Sequence, residues 1–335
     1  MSGHPGFVRG AYSHPGTFWA TGARLDEYGI DAVFVHSQSI DAELVSRARA
    51  EGAMVFAEFA TLNGKGYVDA HPEAWPVNEL GEHAPKAGWF MGACPTDPGF
   101  RAHRLHALED LLERYDLDGV WMDYLHWHAH FEDPTPVLPE TCFSETCIEG
   151  FSNASGVSVP GGSTSQRATW ILDTHEVEWR DWRCSALADW TTAIREVIEK
   201  IRPGIRLGNF QCPWRDDEFG GGRRRTLGLD IEKMAGLVDV MSPMVYHGRM
   251  GRPTPWVRES VEWLAGAVGS DSPRIWPIVQ AGDPQNIPAE QFREVMTFAR
   301  AGGASGVMMF HIEVVAEDPA KMAVLHDLYT GWAQE

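Results

Sequence analysis

The sequence predicts an α/β protein, a single (β/α)8 TIM barrel, and three observations predict it. Short apolar runs rich in β-branched and aromatic residues alternate with amphipathic helical stretches, the pattern of a parallel sheet covered by helices. Eight such runs can be placed, which suits a sheet closed on itself with no exposed edge. No low-complexity tract or repeat divides the 335 residues. One domain over 1–335 is therefore expected, with a loop insertion at about 124–178, since barrels of this size commonly form one unit.

The strands are expected at Phe7–Ser13, Ala32–His36, Met54–Phe59, Gly119–Asp123, Arg206–Phe210, Asp239–Tyr246, Arg274–Gln280 and Gly306–Phe310. A helix over Phe100–Tyr115 follows from Leu105, Leu108, Leu111 and Leu112 at helical spacing, with Asp97 as N-cap and Pro98 just inside it. A second, Trp182–Ile201, carries Leu187, Trp190, Ile194 and Ile198 on one face and stops at Pro203-Gly204. Pro288–Ala301 and Lys321–Trp332 serve the last two strands. The connections after strands 3, 4 and 5 are long. The first two are rich in Trp, Phe, His and Pro, a composition that argues for ordered, functional loops. In a barrel such loops build the active-site face.

A formal charge of −19 repels phosphate backbones and argues against a nucleic-acid partner. The run Arg223-Arg224-Arg225 reads as a solvated loop. The chain has no 18-residue apolar run and no basic, then apolar, N-terminus. The expectation is a cytoplasmic protein without a membrane span. Five cysteines, an odd number, are compatible with reduced thiols.

Asp123 is the first candidate catalytic residue, because it ends an apolar strand at the mouth where barrel enzymes work. Glu58 lies inside the third run, where an acid is costly unless it is paired or faces the mouth. Glu313 follows the eighth strand, with His311 on the same side of an extended chain. Asp283 and Gln280 have a similar place after strand seven, and Asp216, Asp217 and Glu218 cluster after strand five. His14, His126 and Asn209 are candidate hydroxyl ligands. Trp75, Trp89, Trp127, Trp214 and Tyr246 offer flat faces for sugar rings, while Trp276 is expected in the core. His126, His128 and His130 alternate as metal ligands do on strands, but aromatic packing is the preferred reading, and no metal or other cofactor is expected. Cys142 and Cys147 lack a second pair at suitable spacing, which favours a disulfide or two free thiols over a closed zinc site.

The stretch CPTDPGFRAHRLHALEDLLERYDLDGVWMDYLHW resembles the hypothetical glycoside hydrolase barrels, in which a helix after a Pro-rich loop leads into an Asp-Gly-hydrophobic strand ending in Asp. ETCFSETCIEGF is similar to the Cys-containing insertion after that strand, and SPMVYHG to the sixth strand. Family 18 chitinases carry a catalytic Glu two residues beyond their strand-four Asp, where this chain has Leu125, so a chitinase-type mechanism is not implied. The α-galactosidase kind uses the strand-four Asp as nucleophile, but its strand-six acid has no counterpart in MSPMVYHG.

The resemblance implies a glycosidase acting on an oligo- or polysaccharide. Asp123 would be nucleophile or base, and Glu58 or Glu313 proton donor. Glu58, on the adjacent strand, would make a narrow retaining pair, and Glu313, on the opposite strand, a wide inverting one. The alternatives are a non-catalytic carbohydrate-binding barrel and a metal-dependent hydrolase or sugar isomerase using His126, His128 or His130.

Overall fold

The computed structural model describes residues 6–88, 90–269 and 274–335. Nine strand segments form one closed parallel sheet: β1 (Val8–Tyr12), β2 (Ala32–His36), β3 (Met54–Ala60), β4 (Gly119–Asp123), β5 (Arg206–Gln211), β6 (Val240–Val245), β7 (Arg274–Ile275), β8 (Ile278–Gln280) and β9 (Gly306–Phe310). β7 and β8 are two pieces of the seventh barrel strand, separated by Trp276-Pro277. Proline has no N–H to give to the ladder, which accounts for the break. Pairing of β1 with β9 and of β5 with β6 closes the eight-stranded barrel. The expected strands agree with these to within a residue or two at each end.

Alternation along the strands fills the barrel with large rings. Phe34, Phe56, Trp121 and Trp276 pack in its interior, with Trp121 and Trp276 stacked at 5.4 Å and Phe34 on Phe56 at 4.8 Å. The rings take space that Gly208 leaves: a Cβ there would lie 2.3 Å from the Trp121 indole. The Trp121 N–H donates to Ser242 Oγ, so the buried indole is satisfied. The lower barrel is thus filled by side chains, and the main cavity lies above them at the C-terminal mouth.

The Pro98–Arg114 helix begins as expected, with the Asp97 carboxylate accepting the Phe100 N–H. The helix leading into β5 runs Glu176–Ile201, beginning six residues before the expected Trp182. The insertion after β4 is itself ordered, with helices at Glu145–Ser155 and Thr164–Thr174 capped by Ser144 and Ser163. The arginine run is a short helical turn, Gly222–Arg225, rather than a loop; Arg224 is solvent-exposed as expected, and Arg223 is not. Arg223 is buried against Trp263 and paired with Asp216, Arg224 pairs with Asp181, and Arg225 with Glu140. Acids from three separate segments meet those arginines, and a local charge count could not reveal that. Among the described residues no helix is long and apolar enough to cross a membrane.

Candidate active site at the barrel mouth

The mouth holds a cavity of about 750 Å³ lined by Asp123, Glu132, Asp283 and Glu313, by Arg249 and His311, and by an aromatic floor. Tyr12, Phe210 and Phe310 are the last inward residues of β1, β5 and β9. Their rings meet at 5.7 Å (Tyr12 and Phe210) and 5.2 Å (Tyr12 and Phe310), and Tyr246 adds to them 4.9 Å from Phe310. Acids above a flat apolar floor can bind a ligand that has both hydroxyls and C–H faces.

Three residues just beyond strand ends line this cavity with left-handed backbone: Ser13 (φ 86°), Tyr124 (φ 54°) and Asp283 (φ 53°). Non-glycine residues pay for that conformation, and it persists where surrounding structure over-determines it, as at binding sites.

Asp123 is buried at the end of β4, and its Oδ1 accepts the Tyr124 N–H at 2.7 Å. Burial, and next the nearby Glu132 charge, push its carboxyl up to about 7. Glu132 is itself ion-paired with Arg249, which also reaches Asp283 at 3.6 Å and lies over the Tyr246 and Phe310 rings.

Glu313 occupies the wall four strands away, beyond β9. Ser13 Oγ donates to its Oε1, and His311 Nδ1 lies 2.7 Å from its Oε2. A carboxylate only accepts, so the His311 nitrogen is the donor. Burial raises Glu313, but these hydrogen bonds outweigh it, and the carboxyl is held below its ordinary value. His311 Nε2 faces Asp283 at 3.8 Å.

The structure therefore brings Asp123, Glu313, His311, Asp283 and Tyr246 together around one cavity. His130 also reaches it, whereas Glu58, Asn209, Gln280, His14, His126 and the candidate tryptophans that are described do not line it. Glu58 points inward on β3, paired with Trp121 and so two residues below Asp123 in register, and is fully buried. Neither of its oxygens has a hydrogen-bond partner, and the nearest cation-forming group is His36 Nε2 at 3.6 Å. Burial raises its carboxyl well above the ordinary range, which keeps it neutral.

Asn209 pairs in register with Met122, the neighbour of inward Asp123, so it faces outward, buried between sheet and helices. Gln280 spends its amide on protein: its Oε1 accepts from the Arg249 N–H, and its Nε2 donates to Asp283 O and Gln285 Oε1. Trp127 is a packing residue, with its indole donating to Arg183 O and its face against the Arg183 guanidinium. Trp214 packs on Phe131 and Phe219, and Trp75 stacks on His83 within its own loop. Trp276 lies in the core, as expected, and Trp89 lies outside the described residues. His14 accepts the Gly16 N–H and lines a separate groove with Trp19 and Arg47. Asp216 and Glu218 are held by Arg223 and Arg252, away from the cavity.

The histidine series is divided among different tasks. His126 lines a narrow crevice beside Asp123; its Nδ1 bonds Trp127 O, and burial lowers its pKa to about 4. His128 uses both ring nitrogens on the loop after β3, with Gly92 N and Pro85 O. His130 reaches the main cavity. No three of them converge with acids on one point among the described residues.

Sequence reasoning missed Glu132 and Arg249, which lie in irregular loop, and the floor residues Tyr12, Phe210 and Phe310. For the floor a signal existed: counting alternate residues from Asp123 across the register would have found it.

No family model matches the chain, and no curated protein does. Solved structures do. The PgaB (BpsB) glycoside hydrolase domain from Bordetella bronchiseptica superposes with a TM-score of 0.71 at 15% identity, covering 95% of this chain and 98% of that one. The catalytic domain of β-amylase from Paenibacillus polymyxa gives 0.68 at 11% identity over 99% of both chains. A β-galactosidase from Bacillus circulans gives 0.69 at 15%, covering 97% of this chain but only 56% of its own. The chain thus spans little more than half of that enzyme. At these identities the likeness establishes the fold, and the structural neighbours of this chain are glycoside hydrolase (β/α)8 barrels.

Proposed function

We propose that the protein hydrolyses a glycosidic bond at the barrel mouth, with Asp123 as proton donor and Glu313 as base. The observation that carries this reading is the opposite electrostatic treatment of two carboxyls on facing walls of one cavity, one raised to about 7 and one held below the ordinary range. Acid–base pairs are recognised by such a division. The roles reverse those expected from the resemblance, in which Asp123 was nucleophile or base.

Protonated Asp123 gives its proton to the glycosidic oxygen as the bond to the anomeric carbon breaks. Ionised Glu313 takes a proton from the water that attacks that carbon from the other side. The leaving sugar departs as an alcohol, and the configuration inverts. β4 and β9 stand opposite one another in the barrel, which supports the wide spacing an inverting pair uses, roughly 6.5–9.5 Å. Burial and then the Glu132 charge keep Asp123 protonated, and Arg249 keeps Glu132 in place. His311 and Ser13 keep Glu313 ionised and aimed. The glycoside hydrolase neighbours support a carbohydrate substrate.

The test is a panel of oligo- and polysaccharides assayed for new reducing ends, with the product anomer followed by NMR on a cleaved substrate. Cleavage with inversion is expected. Binding without cleavage would turn the reading to a carbohydrate-binding barrel, and retention would remove Glu313 as the base.

A further inference from the structure

Cys94, Cys142 and Cys147 converge on one point. Cys94 comes from the loop after β3, Cys142 from the insertion after β4, and Cys147 from the first turn of the Glu145–Ser155 helix. All three are buried, and their sulfurs lie within 4.8 Å of one another. Cys94 Sγ and Cys147 Sγ are 3.3 Å apart, and the Val77 N–H donates to Cys142 Sγ at 3.3 Å. Among the described residues this is the only group of three or more His, Cys, Asp or Glu side chains whose donor atoms could share one cation.

We propose that these three cysteines hold a single zinc ion that ties the two long loops of the mouth together. Three sulfurs in a triangle suit a tetrahedral metal: zinc–sulfur bonds of about 2.3 Å set the sulfurs of one site roughly 3.8 Å apart. A disulfide uses two sulfurs at about 2.05 Å and leaves the third without a role. Sulfur ligands select a soft cation such as zinc and reject calcium and magnesium. Two hydroxyl oxygens lie beside the triangle: Thr96 Oγ1, 3.0 Å from Cys147 Sγ and 3.3 Å from Cys94 Sγ, and Ser144 Oγ, 3.9 Å from Cys94 Sγ. They are the candidates for the fourth position.

On binding, each cysteine gives up its thiol proton, and three thiolates with one Zn²⁺ leave a single net negative charge. The Val77 N–H and the positive end of the helix carrying Cys147 face that charge. The site is structural, because none of its residues lines the main cavity. It joins segments that are far apart in sequence, where a metal clip restricts the unfolded chain most. The inference is independent of the glycosidase reading.

Whole protein purified without chelator, then incubated with zinc under reducing conditions and desalted, should carry about one zinc per chain by elemental analysis. Denatured with chelator, it should show all five thiols. Cobalt(II) in place of zinc should give thiolate-to-metal charge transfer and the visible bands of a tetrahedral site. C142S and C147S should lose the metal and melt several degrees lower, while C184S, at a buried cysteine outside the cluster, keeps it. Zinc at background, a thiol count of three, or retention of zinc in C142S would overturn the proposal. If C142S and C147S fail to fold, the zinc content, thiol count and cobalt spectrum of the unaltered protein decide alone.

Discussion

The β4 wall and the β9 wall of the mouth each present one carboxyl, and the two are buried with different company. Asp123 receives one backbone N–H and faces a second acid, Glu132. Glu313 receives a hydroxyl and an imidazole N–H. Burial raises both and is deeper at Asp123; the neighbours reinforce it there and outweigh it at Glu313. A carboxyl facing a like charge keeps its proton, and one given two donors loses it. What separates acid from base is therefore the depth of burial together with the residues one contact out, on strands and loops remote in sequence.

The largest expected effect tests the acid. Asp123→Asn should lower kcat by about 10³-fold or more, since it removes the proton that the leaving oxygen receives. The same variant should gain stability. With its folded pKa raised from 3.8 to about 7, wild-type Asp123 binds more protons folded than unfolded between those values, so stability falls as pH rises through that window. Asn cannot ionise and escapes this. D123N should therefore melt above wild type at pH 8, by a few kcal/mol at most, and match it near pH 4. A lower melting point at both pH values would mean that Asp123 is a structural acid.

Glu313→Gln should cost about 10²–10⁴-fold in kcat, with small nucleophilic anions such as azide restoring part of the rate if the lost role is base. The pH profile follows from the same contrast. Turnover needs Glu313 ionised and Asp123 protonated, so it should rise below pH 4.5 and fall above about 7. Glu132→Gln removes the charge that adds to burial in holding Asp123 up, and the alkaline limb should move to lower pH; an unmoved limb would detach Glu132 from the acid. Ser13→Ala removes a donor from Glu313, so the acid limb should move upward by less than about one pH unit. The smallest effect is expected of Glu58→Gln. Its carboxyl is enclosed below the cavity and cannot reach substrate, so kcat/KM should stay within about threefold of wild type.

The barrel was legible because its strands are short continuous apolar runs with little competing reading, and Gly119–Asp123 and Gly306–Phe310 are found where expected. Asp123, Glu313, His311, Asp283 and Tyr246 were legible for a related reason: each ends or follows a barrel strand, and those positions face the mouth. Asn209 failed because it is one position out of phase with the inward residues, a distinction only the register makes. Trp127 and Trp214 failed because an indole suits a core as well as a sugar. Glu132 and Arg249, and the meeting of Cys94 with Cys142 and Cys147, depend on how long loops lie on one another, which no local pattern encodes.

The aromatic plug has a practical optical consequence. The sequence holds fourteen tryptophans, yet none of the described ones lines the main cavity. Its rings are tyrosine and phenylalanine, while Trp121 and Trp276 are stacked in the floor of the barrel beneath it. Intrinsic emission will report faithfully on melting of the barrel and give little signal for a sugar entering the mouth. Affinities should accordingly be measured by heat or by a labelled ligand, and a flat fluorescence titration should not be taken for absence of binding.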